Sequence, residues 1–278
     1  EKGYTGTGKV LVAATTDFTL KDNTGETVLY KSLKTGNGGC YTIADLVLKG
    51  GAAADGTCPD GKPLLIYAAE SGKFNFVSLL LKYGSDPNVT SSRKETAIYI
   101  LSKTVMTGSK DKYKSDQAAK VIAELVSKGG DPNLADRYGR TPLDMACRRK
   151  NTVIAGVLIK AGATVDAQDG NGNTSLKKVI MDYTGDYKVS EKEKKAALAI
   201  IDLLIKNGAQ INIQDKFGRN ALAHICKEAN DKNRQKIIDI VPELISRGAR
   251  ADIADSDGKT AADYAAVSNI DGLIDLVR

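Results

Sequence analysis

Residues 136–162 read DRYGRTPLDMACRRKNTVIAGVLIKAG, and the fold follows from how they are read. The opening Asp136-x-x-Gly139 is turn chemistry. An Asp side chain bonds nearby backbone, and Gly enters left-handed dihedrals at no steric cost. Pro142 sits at the first turn of a helix, where its missing N–H costs nothing. Further on, Val153, Ile154, Val157, Leu158 and Ala161 fall at i, i+1, i+4, i+5 and i+8, which is one face of a second helix. Gly162 ends that helix, where a left-handed cap favours glycine. So small a helix pair cannot bury its own apolar face, so it must stack on copies of itself.

The copies are present. The onset recurs as DNTGETVL at 22–29, CPDGKPLL at 58–65, SSRKETAI at 91–98, DGNGNTSL at 169–176, DKFGRNAL at 215–222 and DSDGKTAA at 255–262. The shortest steps, 58 to 91 and 136 to 169, are 33 residues, and three longer steps carry sizeable insertions. The endings agree as well: LLLKYGSDPNV, LVSKGGDPNLAD, LIKAGATVDAQD, LIKNGAQINIQD and LISRGARADIAD. Gly84, Gly129, Gly208 and Gly248 hold the place of Gly162 in the other units.

This pattern resembles the ankyrin repeat, whose signature at this period is a T-P-L-H-x-A helix start. Thr141-Pro142-Leu143-Asp144-Met145-Ala146 departs from it only at Asp144. The resemblance implies an all-α ankyrin-repeat solenoid of stacked helix-turn-helix units with short β-hairpin-like fingers. It covers a single domain over 9–278, behind a flexible leader at 1–8. The expected parts are an N-terminal half-repeat at 9–21, repeats starting near 22, 58, 91, 136, 169 and 215, and a C-terminal cap at 255–278. No unit keeps the family's His. Tyr30, Ile66, Tyr99, Asp144, Lys177, Ala223 and Asp263 stand there, so the hydrogen bonds usual at that position are expected to be lost.

Composition fits a stacked array. Of 278 residues, 42% are hydrophobic and only 5% aromatic, with no Trp, so the core must be aliphatic and small. The net charge of +6 permits an anionic partner without requiring one. No run of 18 apolar residues exists, so no helical membrane span is expected. The chain starts at Glu1 rather than Met, which reads as removal of an upstream segment. A cleaved signal peptide or a truncation would each do this, leaving cytoplasmic and exported locations both open.

Motifs for chemistry fail one after another. Gly3 to Lys9 fits G-x-x-x-x-G-K, but Val10 follows where Ser or Thr is needed and no strand precedes, so the reading is a glycine-rich leader. DGNGNT at 169–174 begins like a calcium loop, yet Thr174 replaces the required Gly and Ile180 the required Glu. His224 is the sole histidine, and Cys226 two residues on points to another helix face. His224 is expected to be partly exposed. Cys147 and Cys226 share a register in first helices and read as small core residues. A bond between Cys40 and Cys58 would need an unusual loop path. No cofactor, metal site or catalytic group is expected, and the chain reads as non-enzymatic.

Function in such a fold is expected on the finger tips and exposed first-helix ends. Arg137, Tyr138, Arg140, Arg148, Arg149, Lys216, Phe217, Arg219 and Lys227 map there, all as exposed positions, around the neutral Asn171, Asn173 and Met181. Arg beside Tyr and Phe is interface composition. The expected partner is a protein or peptide, acidic in character, bound by a monomer. The alternative is an anionic ligand, nucleic acid or acidic lipid, held by basic side chains. Nucleic acid is disfavoured because acids interleave with the bases and no unbroken stripe tracks a phosphate backbone. Insertions around 103–118, 181–197 and 227–236 are expected between the two helices of their units as a neutral-to-basic rim. The opposite, finger rim is expected to be acidic, from Asp86, Asp131, Asp136, Asp166, Asp169, Asp215, Asp252 and Asp255.

Overall fold

Each finger leads into a short helix, a reversal and a second helix. The protein is described here by a computed structural model over residues 17–36, 38–104, 112–185, 190–268 and 270–278. The leader and most of the expected half-repeat, including Lys9, lie outside the described residues. The chain forms two compact units that meet in sequence between Arg137 and Tyr138. Among the described residues the first holds three helix pairs: α1 (Val28–Thr35) and α2 (Gly38–Lys49), α3 (Leu64–Glu70) and α4 (Phe74–Lys82), α5 (Ala97–Thr104) and α6 (Lys112–Ser127). The second holds four: α7 (Pro142–Arg148) and α8 (Thr152–Lys160), α9 (Ser175–Thr184) and α10 (Glu191–Lys206), α11 (Ala221–Lys227) and α12 (Arg234–Ser246), α13 (Ala261–Val267) and α14 (Leu273–Val277). The architecture is all-α. Among the described residues the fingers pinch only as isolated antiparallel bridges, such as Lys21 with Thr27 and Gln168 with Thr174.

The finger is built on its first residue. Asp215 Oδ1 accepts the backbone N–H groups of Phe217 and Arg219 at 2.8 and 3.0 Å. The turn closes with Gly218 N donating to Asp215 O at 2.9 Å. Asp22, Asp169 and Asp255 repeat these bonds. Two residues after the turn glycine, a Thr or Asn caps the first helix. Thr27, Thr174 and Asn220 each accept from the backbone N–H three residues on. Thr141 and Thr260 form full capping boxes with Asp144 and Asp263, which secures helices only seven residues long. Second helices end at Gly84, Gly129, Gly162, Gly208 and Gly248, all with φ between 86° and 92°. Between these ends the core is aliphatic: Leu143, Ala146 and Cys147 of α7 and Ile154, Ala155 and Leu158 of α8 are all buried.

The position where the resemblance expects His is not silent, contrary to expectation. Tyr99 Oη donates to Asp136 Oδ2 at 2.8 Å, in the next finger. Lys177 Nζ reaches Asp215 Oδ2 at 2.8 Å and Arg219 O at 2.6 Å, also in the next finger. Tyr99 and Lys177 are long and polar enough to span one repeat step, so the inter-repeat bond survives without His in those two units. Burial opposes the charge on Asp215, but Lys177 and the two backbone N–H groups outweigh it and hold its carboxyl below the ordinary range.

This chemistry corrects part of the acidic finger rim, although Asp86 and Asp252 are exposed as expected. Asp136 and Asp255 are buried, the Asp215 side chain is only 5% exposed, and Asp22 and Asp169 carry lysine partners, Lys31 and Lys178. The insertions differ too, because much of them extends helices rather than forming loops. α6 and α10 each run 16 residues, and α10 begins with a Ser190–Glu193 capping box inside the inserted sequence. Residues 105–111 and 186–189 lie outside the described residues. The third insertion is a turn tied by Asn230 and Asn233, with Asn233 Nδ2 donating to Glu228 O at 3.0 Å. No helix among the described residues is long and apolar enough to cross a membrane.

Successive fingers are stitched through backbone. Gly170 N donates to Tyr138 O at 3.3 Å, Lys216 N to Asn171 O at 3.0 Å, and Ser256 N to Phe217 O at 2.9 Å. That approach needs glycine at the turn: a Cβ on Gly218, at φ +75°, would lie 2.7 Å from Ser256 N. Gly61, at φ +82° in the first unit, would meet nothing within 4 Å. Gly61→Ala should therefore cost only the left-handed penalty, about 1 kcal/mol. Gly218→Ala should cost about 2–3 kcal/mol, because the finger bond is lost as well. Urea denaturation of the two variants compares them, and equal losses would refute the close-approach argument. The cysteines offer a second check. Among the described residues no disulfide forms. Burial pushes the thiols of Cys147 and Cys226 up, the latter to about 12. Both should resist thiol labelling in the native protein while the half-buried Cys40 reacts. Rapid labelling of Cys147 would mean its helix faces solvent.

Candidate partner-binding surface

The expected surface residues divide between the two units. Arg137 ends the first unit, is exposed, and donates from Nη2 to Ser92 O at 2.9 Å. The others lie in the second unit, where the stitched fingers carry Tyr138, Asn171 and Phe217 at their tips. Tyr138 is 62% exposed and Phe217 51%, large apolar surface for a protein with so few aromatics. Both rings are flanked by cations. The Arg140 guanidinium lies 4.9 Å from the Tyr138 ring centre, and Lys216 Nζ lies 5.1 Å from that of Phe217. Lys216 also donates to Asn171 Oδ1 at 2.7 Å, which fixes one tip against the next. Arg148 and Arg149 are exposed at the end of α7, and Lys227 is exposed at the end of α11, 5.4 Å over Tyr264.

Two residues depart from the expected exposure: Arg140 is half-buried under the Tyr138 ring contact, and Arg219 is buried. The Arg219 backbone is held by Asp215 on one side and by Lys177 on the other. Its side chain then folds over Phe217, with the guanidinium 4.6 Å from the ring centre and Nε 3.7 Å from Asp215 Oδ2. Arg219 therefore supports the exposed ring from below.

A cleft of about 220 Å³ opens between α7 and α9. Arg140 and Arg148 stand at its sides, with Lys178 and Asp182 facing them from α9 and Met145 and Val179 between. Asp144 lies at its base, buried, with every oxygen occupied. It caps Thr141, accepts from Ser175 Oγ, and accepts from Lys178 Nζ at 2.7 Å. Lys178 also reaches Asp169 at 3.2 Å. The i, i+4 pairs Asp144/Arg148 and Lys178/Asp182 carry the sequence signal for this cleft. Sequence reasoning found Arg140 and Arg148 but missed Lys178 and Asp182.

One buried polar cluster lies behind the surface. His224 is half-buried on α11, as expected, and its Nδ1 has no hydrogen-bond partner. Burial, with Lys177 and Arg219 nearby, lowers its pKa to about 4. Among the described residues no group of three His, Cys, Asp or Glu side chains could hold a metal ion.

Comparison with known proteins agrees with this architecture. The family model described as "Ankyrin repeats (3 copies)" matches residues 1–91 and 192–278, and the one described as "Ankyrin repeat" matches 138–170. The E3 ubiquitin-protein ligase KEG of Arabidopsis thaliana is 24% identical over 230 residues, 82% of this chain and 13% of its own length. Ankyrin repeat and SOCS box protein 16 of Mus musculus is 30% identical over 109 residues, 39% of this chain and 23% of its own. The nuclear factor NF-kappa-B p105 subunit of Gallus gallus is 29% identical over 114 residues, 40% of this chain and 10% of its own. The chain thus spans less than a quarter of each relative.

The state of His224 has a consequence for stability. Its folded pKa of about 4 lies below the ordinary 6.5, so the unfolded chain binds the proton more readily. Stability should fall as pH drops from about 6.5 towards about 4, by up to about 3 kcal/mol from this group. His224→Asn should remove that part of the slope. Denaturation at pH 7 and pH 4.5 tests it, and a slope unchanged in the variant would assign the acid sensitivity elsewhere.

Proposed function

Because the chain belongs to the ankyrin-repeat family, whose repeats are protein–protein interaction modules, we propose that it binds a protein or peptide partner on the finger tips and adjoining first-helix ends of its second unit. The carrying observation is the pair of exposed rings, Tyr138 and Phe217, each flanked by a cation on a finger fixed to its neighbour by backbone bonds. A rigid aromatic offers contact area at little entropic cost, and a guanidinium beside it adds a planar fork for carboxylates. The partner is acidic on this reading, since Arg140, Arg148, Arg149, Lys216 and Lys227 surround the rings.

Tyr138→Ala or Arg140→Ala should weaken partner binding by about 1–3 kcal/mol, with little change in melting temperature. Phe217→Ala should do the same, and added salt should weaken binding because part of the attraction is long-range. The partner is first captured with the intact chain and binding is then measured by calorimetry. The opposing arrangement puts the contact on the insertions. Should deletion of 107–114 abolish binding while the three point variants bind normally, the finger surface is not the working one.

A further inference from the structure

We infer that the gap between the fingers at 58 and 91 takes an extended segment of a protein partner. The main chain of that segment bonds the backbone N–H of Ser92 and the backbone C=O of Asp60, with a basic side chain towards Asp60 and an acidic one towards Arg93. The site lies in the first unit and does not depend on the Tyr138 and Phe217 surface.

Hydrogen-bond register is the first ground. Elsewhere the second residue of a finger donates its N–H to the third residue of the finger before. Arg137 bonds Arg93 O, Gly170 bonds Tyr138 O, Lys216 bonds Asn171 O and Ser256 bonds Phe217 O, at 2.9 to 3.3 Å. The same register would join Ser92 N to Asp60 O. Among the described residues neither of these two groups has a partner, and both residues are exposed. The turn glycines agree. A Cβ on Gly139, Gly172 or Gly218 would come within 3.2 Å of the next finger's backbone, whereas one on Gly61 would meet nothing within 4 Å. The fingers here stand apart, with about 560 Å³ between them. The far edge of the finger at 91 is closed by Arg137, which bonds Arg93 O and Ser92 O. Backbone groups left open on an edge are a template for another chain. An extended segment supplies both missing partners, a C=O for Ser92 and an N–H for Asp60.

The walls select the occupant. Small-molecule sites are lined mostly by apolar side chains, but Pro63 is the one apolar side chain lining this gap. Lys62 pairs with Glu70 and Lys103 with the buried Glu95, each at 2.6 Å. Asp60 and Arg93 remain, of opposite sign and on opposite fingers, and neither is in a salt bridge among the described residues. Asp60 Oδ1 accepts from Lys62 N at 3.1 Å, which leaves Oδ2 for a cation. Asp60, Glu70 and Glu95 balance Lys62, Arg93 and Lys103, so a matched pair of charges selects here, not a net charge. Alternate side chains of an extended segment share a face, so a basic and an acidic residue two apart reach both.

The intact chain is isotope-labelled at its amide nitrogens, and the Gly61, Ser92 and Arg93 amides are followed by NMR at low salt. Two capped peptides, Thr-Arg-Val-Glu-Thr and Thr-Glu-Val-Arg-Thr, are titrated because they run the charges in opposite order. One of them should move all three amides saturably. Its form N-methylated at the three central amides should bind about tenfold more weakly, and so should Thr-Gln-Val-Gln-Thr. Ser92→Pro removes the donor and should weaken the Gly61 and Arg93 responses by about tenfold. Proline suits the second position of such a turn, and Pro59 already occupies it in the finger before, so the melting temperature should hold. Ser92→Ala keeps the N–H and should bind as the wild type does. No response to either peptide, equal binding of the N-methylated or Gln peptide, an unchanged response in Ser92→Pro or a lost one in Ser92→Ala each overturns the site. Tyr138→Ala and Phe217→Ala should leave the titration unchanged, so its failure is separate from a failure of the ring surface.

Discussion

The carboxylate at the head of most fingers, Asp22, Asp136, Asp169, Asp215 and Asp255, is the interaction on which the rest depends. An ionised carboxylate only accepts hydrogen bonds, and its two oxygens can face different ways. In the finger at Asp215, Oδ1 collects two backbone N–H groups and Oδ2 faces the lysine of the previous repeat. One side chain thereby closes the turn, aims the chain into a capped helix and couples neighbouring repeats. Asp255 shares its second oxygen with Tyr264 at 2.6 Å, a residue of its own first helix. The finger at 91 uses Ser91 Oγ, with longer bonds of 3.2 and 3.3 Å to Arg93 and Glu95. It also places Lys94, not glycine, at φ 61°. A neutral hydroxyl and a strained turn residue make that finger the weaker version of the same device.

This use of aspartate decides the electrostatics of the surface. The finger acids are consumed in turns and ion pairs within the protein, so counting Asp residues overstates the acidity of that rim. Several of the basic side chains at the tips and helix ends stay exposed. Arg148, Lys216 and Lys227 stand exposed beside rings or at the cleft. If the proposed surface is the working one, long-range attraction would favour an acidic partner in encounter, and the exposed rings would govern how long it stays.

Much of this was legible in the sequence because it rests on local chemistry. DRYGRTPL specifies turn, cap and helix start within eight residues, and the glycines after second helices adopt the left-handed dihedrals expected of them. What sequence could not supply was the partner across the repeat. Arg219 occupies a position exposed by register, yet the exposed Phe217 and the buried Asp215 pull its side chain down. Lys177 looks like a solvent residue, but it spans to the next finger and is 3% exposed there. Tyr99 behaves likewise. Each error comes from treating a repeat as if its neighbours were absent, when in a stacked fold every unit completes the next.

The finger ladder is more complete in the second unit than in the first. In the second unit three successive bonds join the four fingers, through Gly170, Lys216 and Ser256. Gln168 and Gln214 reinforce them, each donating from Nε2 to a backbone carbonyl at the next finger, Gln214 O and Ala254 O, at 3.0 Å. In the first unit the corresponding donor of the second finger is Pro59, which has no N–H to give. The first unit does carry one bond of this kind, Arg137 N donating to Arg93 O at 3.3 Å, but among the described residues none joins Ser92 to the finger at Asp60, where a polar gap of about 560 Å³ opens between Lys62 and Arg93. A surface that must hold two aromatic side chains in a fixed relation loses less entropy on binding if its backbone is already tied. The exposed rings Tyr138 and Phe217 lie on the tied fingers, whereas the fingers of the untied pair carry Asp60 and Arg93 at their tips. Preorganised backbone and exposed aromatic surface coincide in the second unit, which is the arrangement a contact surface requires.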